Sequence, residues 1–388
     1  MLSYKAPKAT LQQILKSDHR FSTEENNAHV RRVIQRLSNC RTASMGYHVY
    51  RCNDDACGHI KYQYHSCRDR HCPNCGAVKQ QQWIAARMQE LLPIKYYHVV
   101  FTLPHELNSL LLGNRKELYK LLFSASSDTL LRFASDRVYL GAVPGILSVL
   151  HSWGQQLSFH PHVHCIVSGG GIKEGNNWVS SKRDGYNFLF PVKAMSIVYR
   201  AKFLQALQLL IDQGAITSKE QMDTTQLINK LYKKDWVVYA KAPFGGPSAV
   251  LAYLGRYTHK VAISNHRIIA IKDDTVSFGY KDYADSSKQK QMVLTKQEFI
   301  RRFKQHILPK GFTKIRSYGY LSNRNRHQRI NEVLKQMKLP QHKGMIKVPI
   351  AIHLLEQYGI NVKQCPCCQK NTMELQVIYQ PWKKGDDG

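Results

Sequence analysis

The period of apolar and polar positions changes several times along the 388 residues, and each change marks an element. Leu11, Ile14 and Leu15, then Val30, Val33, Ile34 and Leu37, recur at helical spacing, which predicts a basic helical arm over 1–40 that packs or contacts a polyanion. From Cys40 to Cys75 the period lapses into short polar stretches with Cys, His, Gly and Pro; it returns in Gln80–Leu92, a helix that Pro93 stops. Tyr96–Leu103 reads as a strand, followed by a helical stretch to about Arg137. Gly145–Trp153 and 159–168 read as two more strands. A loop over 169–187 precedes a helix at 195–213 and a strand at Trp236–Lys241. A further helix starts at Gly245–Ser248, with Pro247 at a tolerated first-turn position, and runs through Tyr253 and Tyr257. Strands then alternate with turns from 266 to 294, ahead of a basic C-terminal region. These shifts predict an arm at 1–40, a cysteine-rich module at 41–92, a main domain at 93–270, a basic region at 271–360 and a cysteine-containing tail at 361–388.

Composition adds a partner to this outline. The 56 Lys and Arg against 27 Asp and Glu give a formal charge of +29, which favours a polyanion whose condensed counterions are released on binding. Nucleic acid is the leading candidate. No apolar run approaches the length of a membrane span, and Met1–Lys5 does not open a signal peptide, so no membrane partner and a cytoplasmic location are expected. In a reducing compartment ten cysteines are better metal ligands and core thiols than a disulfide framework.

Six of those cysteines fall within residues 40–75, among polar neighbours that cannot bury them all as free thiols. Cys52-x4-Cys57 and Cys72-x2-Cys75 suit a tetrahedral structural Zn2+ site, with Cys67, His59 and His71 as substitute ligands. Cys365-Pro-Cys367-Cys368 is a half-site that either holds a metal with help from elsewhere or is an ordinary tail.

His160-Pro-His-Val-His164 holds the densest candidate chemistry. On a strand, alternate side chains share a face, so His162 and His164 point one way and Val163 and Cys165 the other. A hairpin around Gly154–Leu157 would bring His151 beside them as third ligand; Gln155, His98 and His259 are the alternatives, and His48, His105 and His306 read as ordinary. Imidazoles with open coordination positions suit a divalent ion, Mg2+ or Mn2+, polarising a phosphate. Tyr253 and Tyr257, four residues apart, share one helix face near Arg256 and Lys260. They read either as a core stripe or as nucleophiles, which a phenol with a pKa of about 10 becomes only in surroundings that favour its phenolate. Gly255 between them costs about 1 kcal/mol relative to Ala in a helix. Basic and aromatic residues at Arg301, Arg302, Lys304, Lys314, Arg316, Tyr318, Tyr320, Arg324, Arg326 and Arg329 could track a nucleic acid strand by phosphate contact and stacking.

Together, His160–His164, the upstream His151-Ser-Trp-Gly154, Ala252–Ser264, Ser66–Cys75 and Gly311–Gly319 resemble the rolling-circle insertion-sequence transposases, the two-tyrosine type within the HUH endonuclease superfamily, with its N-terminal zinc-binding domain. The resemblance covers nearly the whole chain. It implies an α+β fold, a ferredoxin-like or RRM-like antiparallel sheet carrying the histidines with helices bearing the tyrosines, and assigns the nuclease to 93–270. It further implies single-stranded DNA of element ends and target as substrate, a 5′-phosphotyrosine intermediate on Tyr253 or Tyr257, and His162 and His164 as ligands. The eleven residues from His151 to His162 are similar to the spacing in three-histidine relaxases of that superfamily. DNA contacts are expected at Arg256, Lys260, Arg316, Arg324 and Arg326, and host replication or helicase proteins would unwind the duplex near the nucleoid. The wide gap in Cys52-x4-Cys57 departs from the usual zinc knuckle. A replication initiator or relaxase would use the same chemistry; a non-catalytic zinc-dependent DNA-binding regulator would bind without cutting.

Overall fold

The computed structural model describes residues 7–17, 25–88, 90–181, 188–217, 223–241, 246, 249–250, 261–342, 349, 351–352, 355–356 and 359–380. Helices α1 (Leu11–Lys16) and α2 (Ala28–Ser38) lead into strands β1 (Tyr47–Cys52) and β2 (Ile60–Tyr64) and helix α3 (Gly76–Met88). Strand β3 (Tyr96–Thr102) is followed by α4 (Asn108–Gly113), α5 (Arg115–Ser135), β4 (Val143–Trp153), β5 (Phe159–Ile172) and β6 (Trp178–Ser180). Then come α6 (Val192–Asp212), α7 (Thr224–Lys233), β7 (Val238–Lys241), β8 (Ile268–Lys272), β9 (Thr275–Asp282) and β10 (Lys288–Thr295). The described chain closes with α8 (Lys296–Gln305), β11 (Ile315–Gly319), α9 (Arg326–Gln336) and β12 (Met373–Tyr379). Among the described residues no helix is long and apolar enough to cross a membrane.

The fold is α+β, built on an antiparallel sheet in the order β11-β4-β5-β3-β7, with β6 added beside the end of β5. Reading β3, α5, β4, β5, α6, β7 against the order β4-β5-β3-β7 gives the ferredoxin-like β-α-β-β-α-β connectivity. One face is apolar: Tyr97, Val99 and Phe101 of β3, Ile146 and Leu150 of β4, and Val163, Cys165 and Val167 of β5 pack against Leu118 and Leu122 of α5 and Tyr199 and Phe203 of α6. Each such buried side chain contributes about 1.5–3 kcal/mol relative to its exposed state, which fixes the register and commits the alternate positions to the opposite face. Strand β5 runs to Ile172, past the expected end at 168, because Gly171 lets β4 pass close by; a Cβ there would stand 2.7 Å from the Val143 carbonyl oxygen. At Gly319, φ is +63° and a Cβ would collide with the Pro144 carbonyl, so only glycine closes β11 against β4.

A second core crosses the divisions expected at 41 and 271. Leu11, Ile14, Val33, Ile34 and Leu37 of the N-terminal helices meet Cys40, Cys67 and Cys72, and also Ile268, Val276, Phe278, Phe299 and Phe303. The basic arm is therefore a packing element, and the antiparallel sheet β10-β9-β8 with α8 lies against it. Leu157, at the tip of the β4–β5 hairpin, is fully buried in this core despite φ of +56°, an uncommon conformation for leucine. The burial offsets the strain and anchors the hairpin. The expected C-terminal tail also forms structure: β12 pairs with β1, Cys52 opposite Met373 and Tyr47 opposite Tyr379, in a separate sheet β12-β1-β2.

Candidate active site and metal clusters

The β4–β5 pairing sets His151 directly opposite His162, and His164 is two residues further along the same face. The three rings offer one nitrogen each within 4.8 Å of one another. His162 Nδ1 donates to the His160 carbonyl at 2.7 Å, so Nε2 is the nitrogen it would offer to a metal. His98, on the neighbouring strand β3, is 2.9 Å from His164 through its Nε2 to the His164 Nδ1. Burial, helped by the charge of Lys241, pulls the His98 pKa down to about 3, so this bracing ring is neutral. His151 is buried and stacks on Trp153 at 4.7 Å. His98, one of the alternative third ligands, is thus a hydrogen-bond partner of His164 and lies outside the group, while His151 is in it.

The cluster opens into a cleft of about 400 Å³ lined by Thr102, Gln155, His160, Arg267, Lys281 and Tyr283. Arg267 is held there by donating to the Gly279 carbonyl at 2.9 Å and to that of Gln155. Three imidazoles with open space beside them fit a divalent ion that keeps coordination positions for a phosphate.

Eight of the ten cysteines fall into two groups of four, with Cys165 and Cys367 outside both. Cys40, Cys67, Cys72 and Cys75 form one, with Cys40–Cys72 and Cys67–Cys75 sulfur separations of 3.6 Å each. Cys52, Cys57, Cys365 and Cys368 form the other. The single set expected from Cys52, Cys57, Cys72 and Cys75 is corrected: Cys52 closes β1 opposite Met373 of β12, and that pairing groups Cys52 and Cys57 with Cys365 and Cys368 instead. The substitute Cys67 is a member, whereas His71 is not, since its Nδ1 bonds Asp69 at 2.7 Å and its Nε2 accepts from the Leu308 N–H at 3.1 Å. His59 also stands outside both groups. Hydrogen bonds from Cys67, Cys72 and Cys75 push the Cys40 thiol down, and contact with Cys40 pushes Cys67 and Cys72 up. Four sulfurs this close all ionise only if a cation shares them, so this donor set fits structural zinc.

Two families match the chain. One, described as "Putative transposase", matches residues 145–329, and one described as "Transposase zinc-binding domain" matches residues 11–103. The chain is 41% identical over 367 residues to "Putative transposase y4qJ" of Sinorhizobium fredii (strain NBRC 101917 / NGR234), covering 90% of this chain and 89% of that one. It is 31% identical over 314 residues to "Transposase for insertion sequence element IS801" of Pseudomonas savastanoi pv. phaseolicola, covering 79% and 74%. The chain belongs to this family of insertion-sequence transposases. A solved conjugative relaxase, TrwC in complex with oriT DNA, aligns over 52% of this chain and 68% of its own at 13% identity; with a TM-score of 0.25 that likeness carries no argument.

The remaining expectations fare unequally in this transposase. Tyr253, Arg256, Tyr257, His259 and Lys260 lie outside the described residues. Arg324 is exposed. Two expected DNA contacts are corrected. Arg326 is buried, pairs with Glu90 at 3.0 Å and donates to the Leu321 carbonyl at 2.8 Å, so its charge is spent inside the protein. Arg316 stacks 4.4 Å from the Phe123 ring centroid on the helix-covered face of the sheet, away from the histidines. Tyr320 is buried as well, its ring 5.7 Å from that of Trp178. Sequence reasoning passed over Cys40 as a ligand, because it stands alone after a helix, and Arg267, Lys281 and Tyr283 as lining residues of the cleft. No short motif marks those three; they arrive from the small sheet packed beside the hairpin.

Proposed function

We propose that this transposase nicks and rejoins single-stranded DNA at the ends of its element through a 5′-phosphotyrosine link. Tyr253 and Tyr257 are the nucleophiles, and His151, His162 and His164 hold Mg2+ or Mn2+. Three imidazoles converge from two paired strands on an open cleft with basic lining in a member of a transposase family, and that convergence carries the assignment.

A bound divalent ion would polarise the scissile phosphate as a Lewis acid. An all-imidazole donor set suits Mn2+ better than Mg2+, which prefers oxygen. His98 and the His160 carbonyl hold the ligand rings in place, while Arg267 and Lys281 offer charge to the strand's phosphates. A tyrosine phenol gives up its proton as its oxygen attacks phosphorus, the bond from phosphorus to the 3′ oxygen breaks, and that oxygen takes a proton. The tyrosyl ester conserves the phosphodiester's energy, so attack by a 3′-hydroxyl rejoins strands without a nucleoside triphosphate. The second tyrosine serves a second transfer, on DNA that host proteins unwind in the cytoplasm.

The test is to incubate the protein with labelled single-stranded DNA of the element ends and Mg2+ or Mn2+. A protein–DNA adduct on a denaturing gel, abolished in the Tyr253→Phe/Tyr257→Phe double variant, is expected. Binding without an adduct in either metal would sink the proposal and leave a non-catalytic regulator.

A further inference from the structure

We propose that the chain holds two zinc ions and that the second, bound by Cys52, Cys57, Cys365 and Cys368, clasps its C-terminal region onto its N-terminal module. The ligands come in two pairs separated by more than three hundred residues, Cys57 and Cys365 being 308 positions apart. The Cys52–Cys368 sulfurs are 3.6 Å apart and the Cys57–Cys365 sulfurs 3.8 Å, with all four within 4.8 Å of one another. Zinc–sulfur bonds of about 2.3 Å in a tetrahedron require sulfur separations of roughly 3.8 Å. Disulfides, at about 2.05 Å, would require the pairs to close by roughly 1.6 and 1.8 Å.

The backbone around the site is formed for ligation from both ends. Cys52 closes β1, and the turn after it returns Cys57 through its N–H to the Asp54 carbonyl at 2.8 Å. On the other side the Cys365 N–H donates to the Lys370 carbonyl at 2.8 Å and the Gln369 N–H to the Cys365 carbonyl at 2.9 Å, folding 365–370 into a tight loop that presents Cys365 and Cys368 together. The Thr372 hydroxyl lies 2.9 Å from the Cys52 sulfur, and Lys370 pairs with Asp54 across the junction.

Hydrophobic burial cannot hold this sheet. All five residues of β2 are exposed, as are six of the seven in β12, and among the described residues the local core is Cys52, Cys365 and Met373, with Tyr50, Cys57 and Cys368 partly buried. Three strands with so small a core need another source of stability, and four thiolates on zinc supply it. The zinc-binding family match ends at residue 103, so half of this ligand set lies beyond it. Closing the clasp also brings the Tyr379 ring 5.1 Å from that of Tyr47.

Native mass spectrometry of the full chain under reducing conditions should find two zinc ions per chain. The Cys365→Ser/Cys368→Ser variant should hold one, and Cys367→Ser, which alters an exposed thiol outside the group, should keep two. Hydrogen exchange in the double variant should lose protection in β1 and β12 and retain it in α2. Wild-type protein with one zinc, a double variant that keeps two, or a reduced-to-oxidised mass difference showing disulfides at these positions would each overturn the clasp. Should the variants fail to fold, cobalt-substituted wild-type protein decides: thiolate-to-cobalt absorption equivalent to eight thiolates supports it, and four overturns it.

Discussion

The histidine face and the first cysteine cluster both gather donors suited to a cation, in opposite ways. His151, His162 and His164 sit on long paired strands whose other side is fixed by the main core, and the cluster opens to the cleft. Cys40, Cys67, Cys72 and Cys75 sit on loops and helix ends, and Cys40, Cys67 and Cys72 are themselves buried members of the second core. Three donors on a rigid sheet leave coordination positions for a substrate, whereas four donors joining loops leave none. On the proposed reading, the first arrangement spends fold stability to hold a reactive site and the second uses a metal to make the fold. The two are in contact, because Leu157 at the tip of the histidine hairpin is buried in the same core as the cysteines.

That contrast can be broken most forcefully by stripping the zinc. Structural zinc contributes on the order of 10 kcal/mol to small metal-dependent folds, so a strong zinc chelator should unfold the α1–α2 core, read as lost hydrogen-exchange protection over Val30–Leu37. Removing Mg2+ or Mn2+ alone should leave that protection intact. Next in size, His162→Ala or His164→Ala should lower adduct formation by about a thousandfold, as losing several kcal/mol of phosphate polarisation requires. Their zinc content and melting temperature should match the parent's.

The third effect is acid lability. Burial holds His306 neutral, with its pKa lowered from 6.5 to about 4, between the Leu157 carbonyl and Ser152. The unfolded chain binds the extra proton first, so this stability is present above pH 6.5 and is lost as pH falls towards 4, by up to about 3 kcal/mol. Denaturant titrations from pH 7 to 4 should show that fall, reduced in His306→Gln. Smallest is His98→Ala: it removes the brace on His164, and loss of such an outer partner typically costs 10–100-fold in metal affinity. Adduct formation titrated with Mn2+ should shift to higher metal, with the plateau recovered at saturation; an unchanged midpoint would separate His98 from the site.

Much of this was legible in residue order. Period-two alternation placed Val163 and Cys165 in the core and His162 and His164 together, and the turn at Gly154–Leu157 predicted His151 beside them. Local periodicity likewise marked α6 and the packing positions of α1 and α2, because each of those signals is carried by neighbours in sequence. The cysteines were legible as ligands and misgrouped as sets. Spacing reports only which residues can meet locally, and Cys52 finds Cys368 across 316 positions. Arg316 and Arg326 misled for a related reason: a basic residue in a basic region reads as surface until its neighbours are known, and Phe123 and Glu90 come from distant elements.

Sequence alone therefore determined the periodic elements, the shared face of His162 and His164, the polyanion-seeking charge and the supply of thiols. Tertiary structure decided which thiols share a site, which arginines keep their charge in the interior, and which residues wall the cleft. The division follows from range: side-chain direction within a strand or helix is set by backbone geometry over a few residues, while partnership between elements is set by packing that no local pattern encodes.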